Sequence, residues 1–424
     1  MTRAACCIPG VRSPSVQPPV WLFVAYGGGH VKALLPVALQ AQARGLARVV
    51  FVALTTAANL VREAGLPAYG FVDLIGPSDD QALKRGKQLI QTLSVQAAQR
   101  KESIAYLGLS YAELEADVGP QVAKAQYAQY GRQSFLPVRV LERAIRRWQP
   151  ACVLTTNSPR AERAALLAAR RLGVPSLCLV DLFGLWERDW LVRPDYADAL
   201  CVLNPQVSAD LAAAGRPASH IHVTGNPAFD HIHNSAVIAQ GQALRLDVGW
   251  IAQRVLLYAS SPEPRGVPGI TGRGDPAWPR HVEERLIDAV HADPSLALWV
   301  RRHPSEAAAD AIRGASHPRI RVSEGLLHPY LHACDEVVVT VSTVGVEANL
   351  AGCDVTQVRG SILDSLSPYL AMGIAKRELQ LSEIGARLSQ AAPIVASASH
   401  HTPGQAVSRV LAVAHSLSRG GGGS

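Results

Sequence analysis

Several short stretches of the 424-residue sequence bring together residue types that handle phosphate, hydroxyls and protons. Ser342-Thr343-Val344-Gly345-Val346-Glu347 follows the β-branched run Val337-Val338-Val339-Thr340-Val341. Such a run suits a short buried parallel strand, and the small hydroxylated residues after it can turn the chain into a helix whose first amides are free. Free N–H groups at the positive end of a helix dipole favour phosphate, and Glu347, one turn in, is placed to accept hydrogen bonds from sugar hydroxyls. The same residues equally suit a Ser N-cap on an ordinary strand–helix unit, with Glu347 a first-turn acid.

Arg301-Arg302-His303-Pro304 ends another apolar run, Leu296 to Arg301. Two guanidiniums can compensate charge that builds on a leaving phosphate, and an imidazole can donate a proton or hydrogen bond to it. A solvent-facing basic strand end is the alternative. Tyr26-Gly27-Gly28-Gly29-His30 follows the run Val20 to Ala25, and strand, glycines and helix in that order let a backbone approach a ligand closely. It is not G-x-G-x-x-G, and no Lys-Ser/Thr follows, so neither a dinucleotide fingerprint nor a P-loop is supported. His30 opens the helix either as a capping residue or as a functional group at the strand's carboxyl end, where open α/β sheets place ligands. Asp181 ends the run Ser176 to Val180, with Glu187 and Asp189 in the aromatic loop that follows. A carboxylate there can serve as general base to a substrate hydroxyl, and Asp181 is the first candidate; an Asp capping the next turn is the competing reading.

These groups need parallel strands to carry them, and the sequence supplies an α/β rhythm twice. In the first half, strands are expected at Val20–Ala25, Val49–Leu54, Tyr69–Val72, Ala151–Thr156, Ser176–Val180 and Ala199–Leu203. A helix from Val31 to Arg44 contains Pro36, which asks for a start near Lys32 to Leu35. Residues 76–148 have helical period and read as two or three helices inserted on the rim, shaping an acceptor site or simply packing. Val223-Thr224-Gly225-Asn226-Pro227, with Phe229-Asp230, reads as the passage between domains. In the second half, strands are expected at Val255–Ala259, Leu296–Arg301, Ile320–Val322, Glu336–Val341 and Val355–Val358, with a loop and helix over 361–373. Ser260-Ser261-Pro262-Glu263 ends the first of these, and the Gly/Pro-rich segment Arg265–Trp278 beyond it reads as a flexible loop able to close over a ligand.

The expected organisation is a loose N-terminal arm (1–19), a first domain (20–222) with its helical insertion at about 76–148 and a second domain (223–390). A C-terminal helix packing back (391–419) and an appended glycine linker (420–424) complete it. A chain this long, 48% hydrophobic and 18% charged, can bury two large cores. Its net charge of +7 suits an anionic partner, but the excess is diffuse and aromatic interleaving sparse, which argues against dedicated nucleic-acid binding. The clusters Lys84, Arg85, Lys87 and Arg143, Arg146, Arg147 suit solvated helix faces. The seven cysteines form no C-x-x-C pair and no zinc-ligand spacing, and several lie in apolar runs, as buried free thiols of a reducing compartment do. No apolar run reaches the ~18 residues of a membrane span, and no signal-peptide core is present, so a cytoplasmic location is the expectation.

With both halves in view, the chain resembles the GT-B superfamily of nucleotide-sugar glycosyltransferases and the UDP-N-acetylglucosamine 2-epimerases that share their fold, from Val20 to about Leu417. The glycine loop ending in His30 is similar to that of the peptidoglycan N-acetylglucosaminyltransferase and the plastid galactolipid synthases. Val223–Pro227 with Phe229-Asp230 is similar to the linker of the epimerase-like branch. His303-Pro304 with Ser342-Thr343 resembles the motifs of bacterial sialyltransferases, Kdo transferases and teichoic-acid-type polymerases. The resemblance implies two Rossmann-like domains facing across a cleft, with the second holding the donor. Ser342, Thr343 and the amides to Gly345 would bind phosphate, Glu347 the ribose, Arg302 and His303 the departing group, and Ser260-Ser261 the donor's other side. Gly28, Gly29 and His30 would line the first domain's ligand end.

The implied activity is that of an inverting, metal-independent glycosyltransferase of bacterial surface polysaccharide or glycoconjugate synthesis, its acceptor a glycan, a lipid-linked glycan or another hydroxyl compound. Asp181 would be the base, with Glu187 and His30 in reserve. No cofactor is implied beyond the nucleotide-sugar donor. A UDP-sugar is favoured; a CMP- or CDP-linked donor is compatible, although Asp181-Leu182-Phe183-Gly184 matches the sialyltransferase acidic motif only loosely. Positive charge is compatible with peripheral contact at an anionic membrane surface. A 2-epimerase or hydrolase ranks second, because no clear counterpart of the epimerase's first-domain acids is found, and a non-catalytic nucleotide-sugar-binding scaffold third.

Overall fold

The computed structural model describes residues 17–93, 99–267, 269–306, 316–388, 390 and 404–420. Most of the expected N-terminal arm, the start of the C-terminal segment and the end of the glycine linker lie outside them. The described chain forms two parallel sheets. The first comprises β1 (Val20–Ala25), β2 (Arg48–Ala53), β3 (Ala68–Tyr69), β4 (Cys152–Thr156), β5 (Ser176–Leu179), β6 (Ala199–Val202) and β7 (Ile221–Val223), in the order β3-β2-β1-β4-β5-β6-β7. The second comprises β8 (Arg254–Ala259), β9 (Leu296–Arg301), β10 (Ile320–Val322), β11 (Glu336–Val339), β12 (Asp354–Val358) and β13 (Arg377–Leu379), in the order β10-β9-β8-β11-β12-β13.

Apolar runs without alternation build these strands because helices cover both faces of each sheet. Trp21 to Ala25 and Val337 to Val339 are wholly buried. In the second sheet the chain leaves β8 through β9 and β10 on one side, then returns to pair β11 with β8 on the other, Val337 beside Leu257. The first sheet reverses in the same way between β1 and β4, Phe23 beside Leu154. At such reversals the loops leaving adjacent strands diverge and open a crevice at the carboxyl ends. The described residues fall into two compact units, 1–177 with 411–424 and 178–410.

Several expectations need correction. The first helix spans Gly28–Ala43, so Pro36 lies in its interior rather than its first turn. Proline removes the bond to the carbonyl four residues earlier, here that of Lys32, whose exposed position lets water take its place. Residues 361–373 hold a single 3-10 turn, Asp364–Leu366, instead of a helix, and the helix Ser235–Asp247 lies where none was expected. Strands β7 and β13 are three residues each, too short for a periodic signal. In β13 the charge of Arg377 further masks the strand; it is 5% exposed and donates at 2.8 Å to Glu336, which is wholly buried at the start of β11.

Residues 76–148 carry the helices Asp80–Leu89, Arg100–Val118, Pro120–Tyr130 and Val138–Trp148. The first two cross so closely that a Cβ on Gly86 would sit 2.1 Å from the Ile104 carbonyl oxygen, and one on Gly108 2.2 Å from that of Ala82. Three of their basic residues are paired locally: Arg143 with Asp79, Arg146 with Glu142 and Arg85 with Glu115. Such pairing consumes charge that an anionic surface would otherwise meet. Cys152, Cys178, Cys201, Cys334 and Cys353 are buried free thiols, as expected. No helix among the described residues is long and apolar enough to cross a membrane.

Candidate functional site

The carboxyl ends of β8, β9 and β11 bring several of the expected residues to the reversal of the second sheet. Ser260 follows β8, Arg302 and His303 follow β9, and Ser342-Thr343 follows β11. The residue that organises them is Glu306, which sequence reasoning passed over. The Ser260 hydroxyl donates to its Oε1 at 2.9 Å, and the His303 amide donates to its Oε2 at 2.8 Å. The Ser305 amide donates to His303 Nδ1 at 3.2 Å, so Nδ1 is the acceptor and the neutral ring carries its proton on Nε2. The exposed imidazole can thus offer an Nε2–H donor.

The guanidiniums are committed elsewhere. Arg302 donates through two nitrogens to Glu283, at 3.0 and 2.7 Å, and the Glu283 side chain is 3% exposed in the helix Trp278–Ala292. Arg301 donates to Ser323 Oγ at 3.0 Å and the Gly325 carbonyl at 2.7 Å, and burial lowers its pKa. Both guanidiniums thus have protein acceptors in this structure. A buried carboxylate demands a counter-ion, and Glu283 takes Arg302 for that purpose.

The helix after β11 runs Val344–Ala351. Its first amides are less free than expected. Val344 donates to Ser342 Oγ at 3.4 Å, Gly345 to the Ser342 carbonyl and Val346 to the Thr343 carbonyl, both at 3.0 Å. The turn tightens because hydroxyl and carbonyl groups of Ser342 and Thr343 satisfy the helix's own donors. Gly345 permits it: a Cβ there would lie 3.0 Å from the ring of Tyr369, whose hydroxyl donates to the Ser342 carbonyl at 2.7 Å. Thr343 is exposed and Ser261 half-buried.

Glu347 Oε2 lies 2.8 Å from His328 Nε2, and His231 stacks edge-on against His328. This fixes the orientation of the carboxylate, whose several lone pairs still suit hydroxyl groups. Glu263, 6% exposed, accepts from the Ser361 hydroxyl at 2.6 Å and the Ile362 amide at 2.8 Å, tying the loop after β8 to the loop after β12. The Gly/Pro-rich segment is internally bonded, Gly274 amide to Arg265 carbonyl at 3.2 Å.

Asp181 is half-buried just beyond β5, and Glu187 is half-buried in the turn ahead of the short helix Arg188–Leu191. The intervening loop is held tightly. Leu182 adopts φ 46°, Phe183 packs edge-on against Tyr369 with ring centroids 5.9 Å apart, and a Cβ on Gly184 would meet Leu191 at 2.7 Å.

In the other unit, Gly28, Gly29 and His30 form the first turn of the Gly28–Ala43 helix, and a Cβ on Gly29 would meet nothing within 4 Å. His30 Nδ1 lies 3.0 Å from Thr156 Oγ1 at the end of β4, so both loops of the first reversal meet. Beneath them Glu162, wholly buried, accepts the Tyr26 amide at 2.5 Å, and Arg160 lies over the Tyr26 ring. Burial pushes the Glu162 carboxyl up, opposed by nearby His30 and by hydrogen bonds. As an acid in the first turn of a helix it resembles any dipole-complementing residue, so only its burial distinguishes it.

A cavity of about 960 Å³ opens within the 178–410 unit, lined by Asn204, Asn226, Phe229, Asn349, Met372 and Arg409 among others. None of the expected site residues lines it. Its walls come from segments far apart in sequence, which no local pattern joins. Among the described residues no group of His, Cys, Asp and Glu could hold a metal ion.

No model of a known protein family matches the chain, and no curated protein does. Solved structures do match in shape. A UDP-GlcNAc 2-epimerase from Neisseria meningitidis bound to UDP-GlcNAc is 14% identical and superposes with a TM-score of 0.54, over 93% of this chain and 99% of that one. A UDP-GlcNAc 2-epimerase from Methanocaldococcus jannaschii, in complex with UDP-GlcNAc and UDP, is 10% identical with a TM-score of 0.51, over 93% and 99%. The glycotransferase of kitacinnamycin is 15% identical with a TM-score of 0.51, over 96% and 97%. Two parallel sheets of the Rossmann type and likeness over nearly the whole of each neighbour give this chain the GT-B fold.

Proposed function

We propose that the protein is an enzyme acting on a nucleotide sugar, and that it is a metal-independent glycosyltransferase with a UDP-linked donor. The single observation that carries this reading is the set of hydrogen-bond donors at the reversal of the second sheet. The Ser260 hydroxyl, the His303 amide and imidazole and the Ser342-Thr343 turn all lie at carboxyl ends of neighbouring strands. Diphosphate bound there would lose charge repulsion to fixed dipoles, and His303 Nε2–H would donate to the departing oxygen. Glu347, oriented by His328, would accept from ribose hydroxyls. Asp181 is the proposed base for the acceptor hydroxyl, with Glu187 and His30 as alternates. The acceptor class proposed is a glycan or lipid-linked glycan.

A second reading, C2 epimerisation of a UDP-N-acetylhexosamine, is favoured by the epimerase neighbours bound to UDP-GlcNAc. Incubating the protein with UDP-GlcNAc and UDP-glucose, with and without a glycan mixture, separates the readings by chromatography. Transfer releases UDP only when an acceptor is present. Hydrolysis releases UDP without one, a C2 epimer with no UDP supports the second reading, and donor recovered intact after demonstrable binding points to a scaffold. Absence of both binding and turnover would sink the UDP-linked donor.

A further inference from the structure

Glu306 lies three residues after His303, the spacing of a capping box, and its amide returns to the His303 carbonyl at 2.8 Å. A cap needs one carboxylate oxygen, on the His303 amide. The other oxygen reaches across to the end of β8, 46 residues away in sequence, and takes the Ser260 hydroxyl. One carboxylate thus spans two donors from different strands, in the manner in which an anion bridges two N–H or O–H groups. Arg302 is held by Glu283, which Arg280 also approaches at 3.6 Å, and Arg301 donates toward Ser323 and Gly325.

We propose that the Ser260 hydroxyl and the His303 amide form a subsite for the distal phosphate of a nucleoside diphosphate, and that the Glu306 carboxylate competes with that phosphate for both donors. Phosphate entry requires Glu306 to swing away, exchanging one anion for another on the same hydrogen bonds. The competition weakens retention of the diphosphate product and leaves the nucleoside portion unaffected. This rests on the proposed donor site, and it reverses the usual sign of a site mutation: removing a polar contact improves binding.

The test is calorimetric titration of the full chain and its Glu306→Gln, Glu306→Ala and Ser260→Ala variants with UDP and with uridine. Glutamine keeps an acceptor for the cap while removing the charge, and melting curves verify that each variant is folded. UDP affinity should rise about tenfold in both Glu306 variants, the scale of one removed charge repulsion near a protein surface. Uridine affinity should not change, and Ser260→Ala should weaken UDP. Wild-type binding of UDP with no gain, or a loss, in the Glu306 variants overturns the competition alone. So does an equal gain for uridine, which carries no phosphate. Failure of wild type and all variants to bind UDP overturns the donor-site reading and the competition with it. Should Glu306→Gln not fold, Glu306→Ala carries the same comparison.

Discussion

A carboxyl wholly inside a protein is easier to keep protonated than charged, because water no longer solvates the ion. Glu162 is in this position: burial raises it above the ordinary value of 4.5, and His30 and the hydrogen bonds only partly oppose the shift. A raised folded-state pKa means that the stability this group contributes is complete below about 4.5 and is lost as pH climbs through the folded value. Glu162→Gln, which keeps an acceptor for the Tyr26 amide, should therefore be more stable than wild type at pH 8. The gap should close toward pH 4.5, and urea midpoints at the two pH values check it; a constant gap would contradict the account. Arg302 carries a prediction of the other sign. Its guanidinium is the nearer counter-ion of Glu283, so Arg302→Ala should cost about 2 kcal/mol, because the buried carboxylate keeps only the longer contact to Arg280, at 3.6 Å. Adding Glu283→Gln should restore most of the loss, whereas a purely ligand-binding Arg302 would show no such rescue. The sequence displayed both arginines as a basic strand end, and their chemistry was legible. Their partners were not, because Glu283 and Gly325 reach them only through tertiary packing. Glu306 escaped for a related reason: a cap to His303 is readable from spacing, but the bond to Ser260 is not.

Elements were more legible than partners, since a strand's pattern is local. The valine run of β11 and the apolar runs of β1, β8 and β9 reveal buried parallel strands, with the turns at their carboxyl ends in view. Where pattern ran out, the cause was length or charge, as in the three residues of β7 and the buried Arg377 of β13. Residues 80–118 show what composition cannot: glycine as a contact surface. Gly86 and Gly108 face carbonyls of the opposing helix at distances no Cβ tolerates. Gly86→Ala and Gly108→Ala should each destabilise by about 2–3 kcal/mol, because the obstacle is backbone and both helices must separate. Gly385, in the short helix Ile384–Leu388, meets nothing within 4 Å and has no positive φ. Gly385→Ala should stabilise by up to about 1 kcal/mol through lower unfolded-state entropy. Opposite shifts in urea midpoint, down at Gly86 and Gly108 and up at Gly385, would establish that space, not helix propensity, decides; equal shifts would refute it.

On the scale of the whole molecule, two sheets that each reverse direction provide two crevices, and polar groups gather at each. One unit carries the glycine turn, His30 and buried Glu162; the other carries the donors around Glu306 and the oriented Glu347. The paired charges on the helices of residues 76–148 do not create this arrangement. Backbone position does, through the loops that leave β8, β9 and β11. A ligand that binds only the native state stabilises it by about 2.7 kcal/mol at 100 times its dissociation constant, and the amides it holds exchange more slowly. Saturating UDP should accordingly slow hydrogen exchange at residues 260–263, 303–306 and 342–347, and leave 27–30 and 156–162 at their unliganded rates. Uridine should protect a smaller part of this set, omitting 303–306, if the phosphate is what reaches His303. Protection confined to 27–30 would put the nucleotide at the other reversal, and the roles assigned to the two units would have to be exchanged.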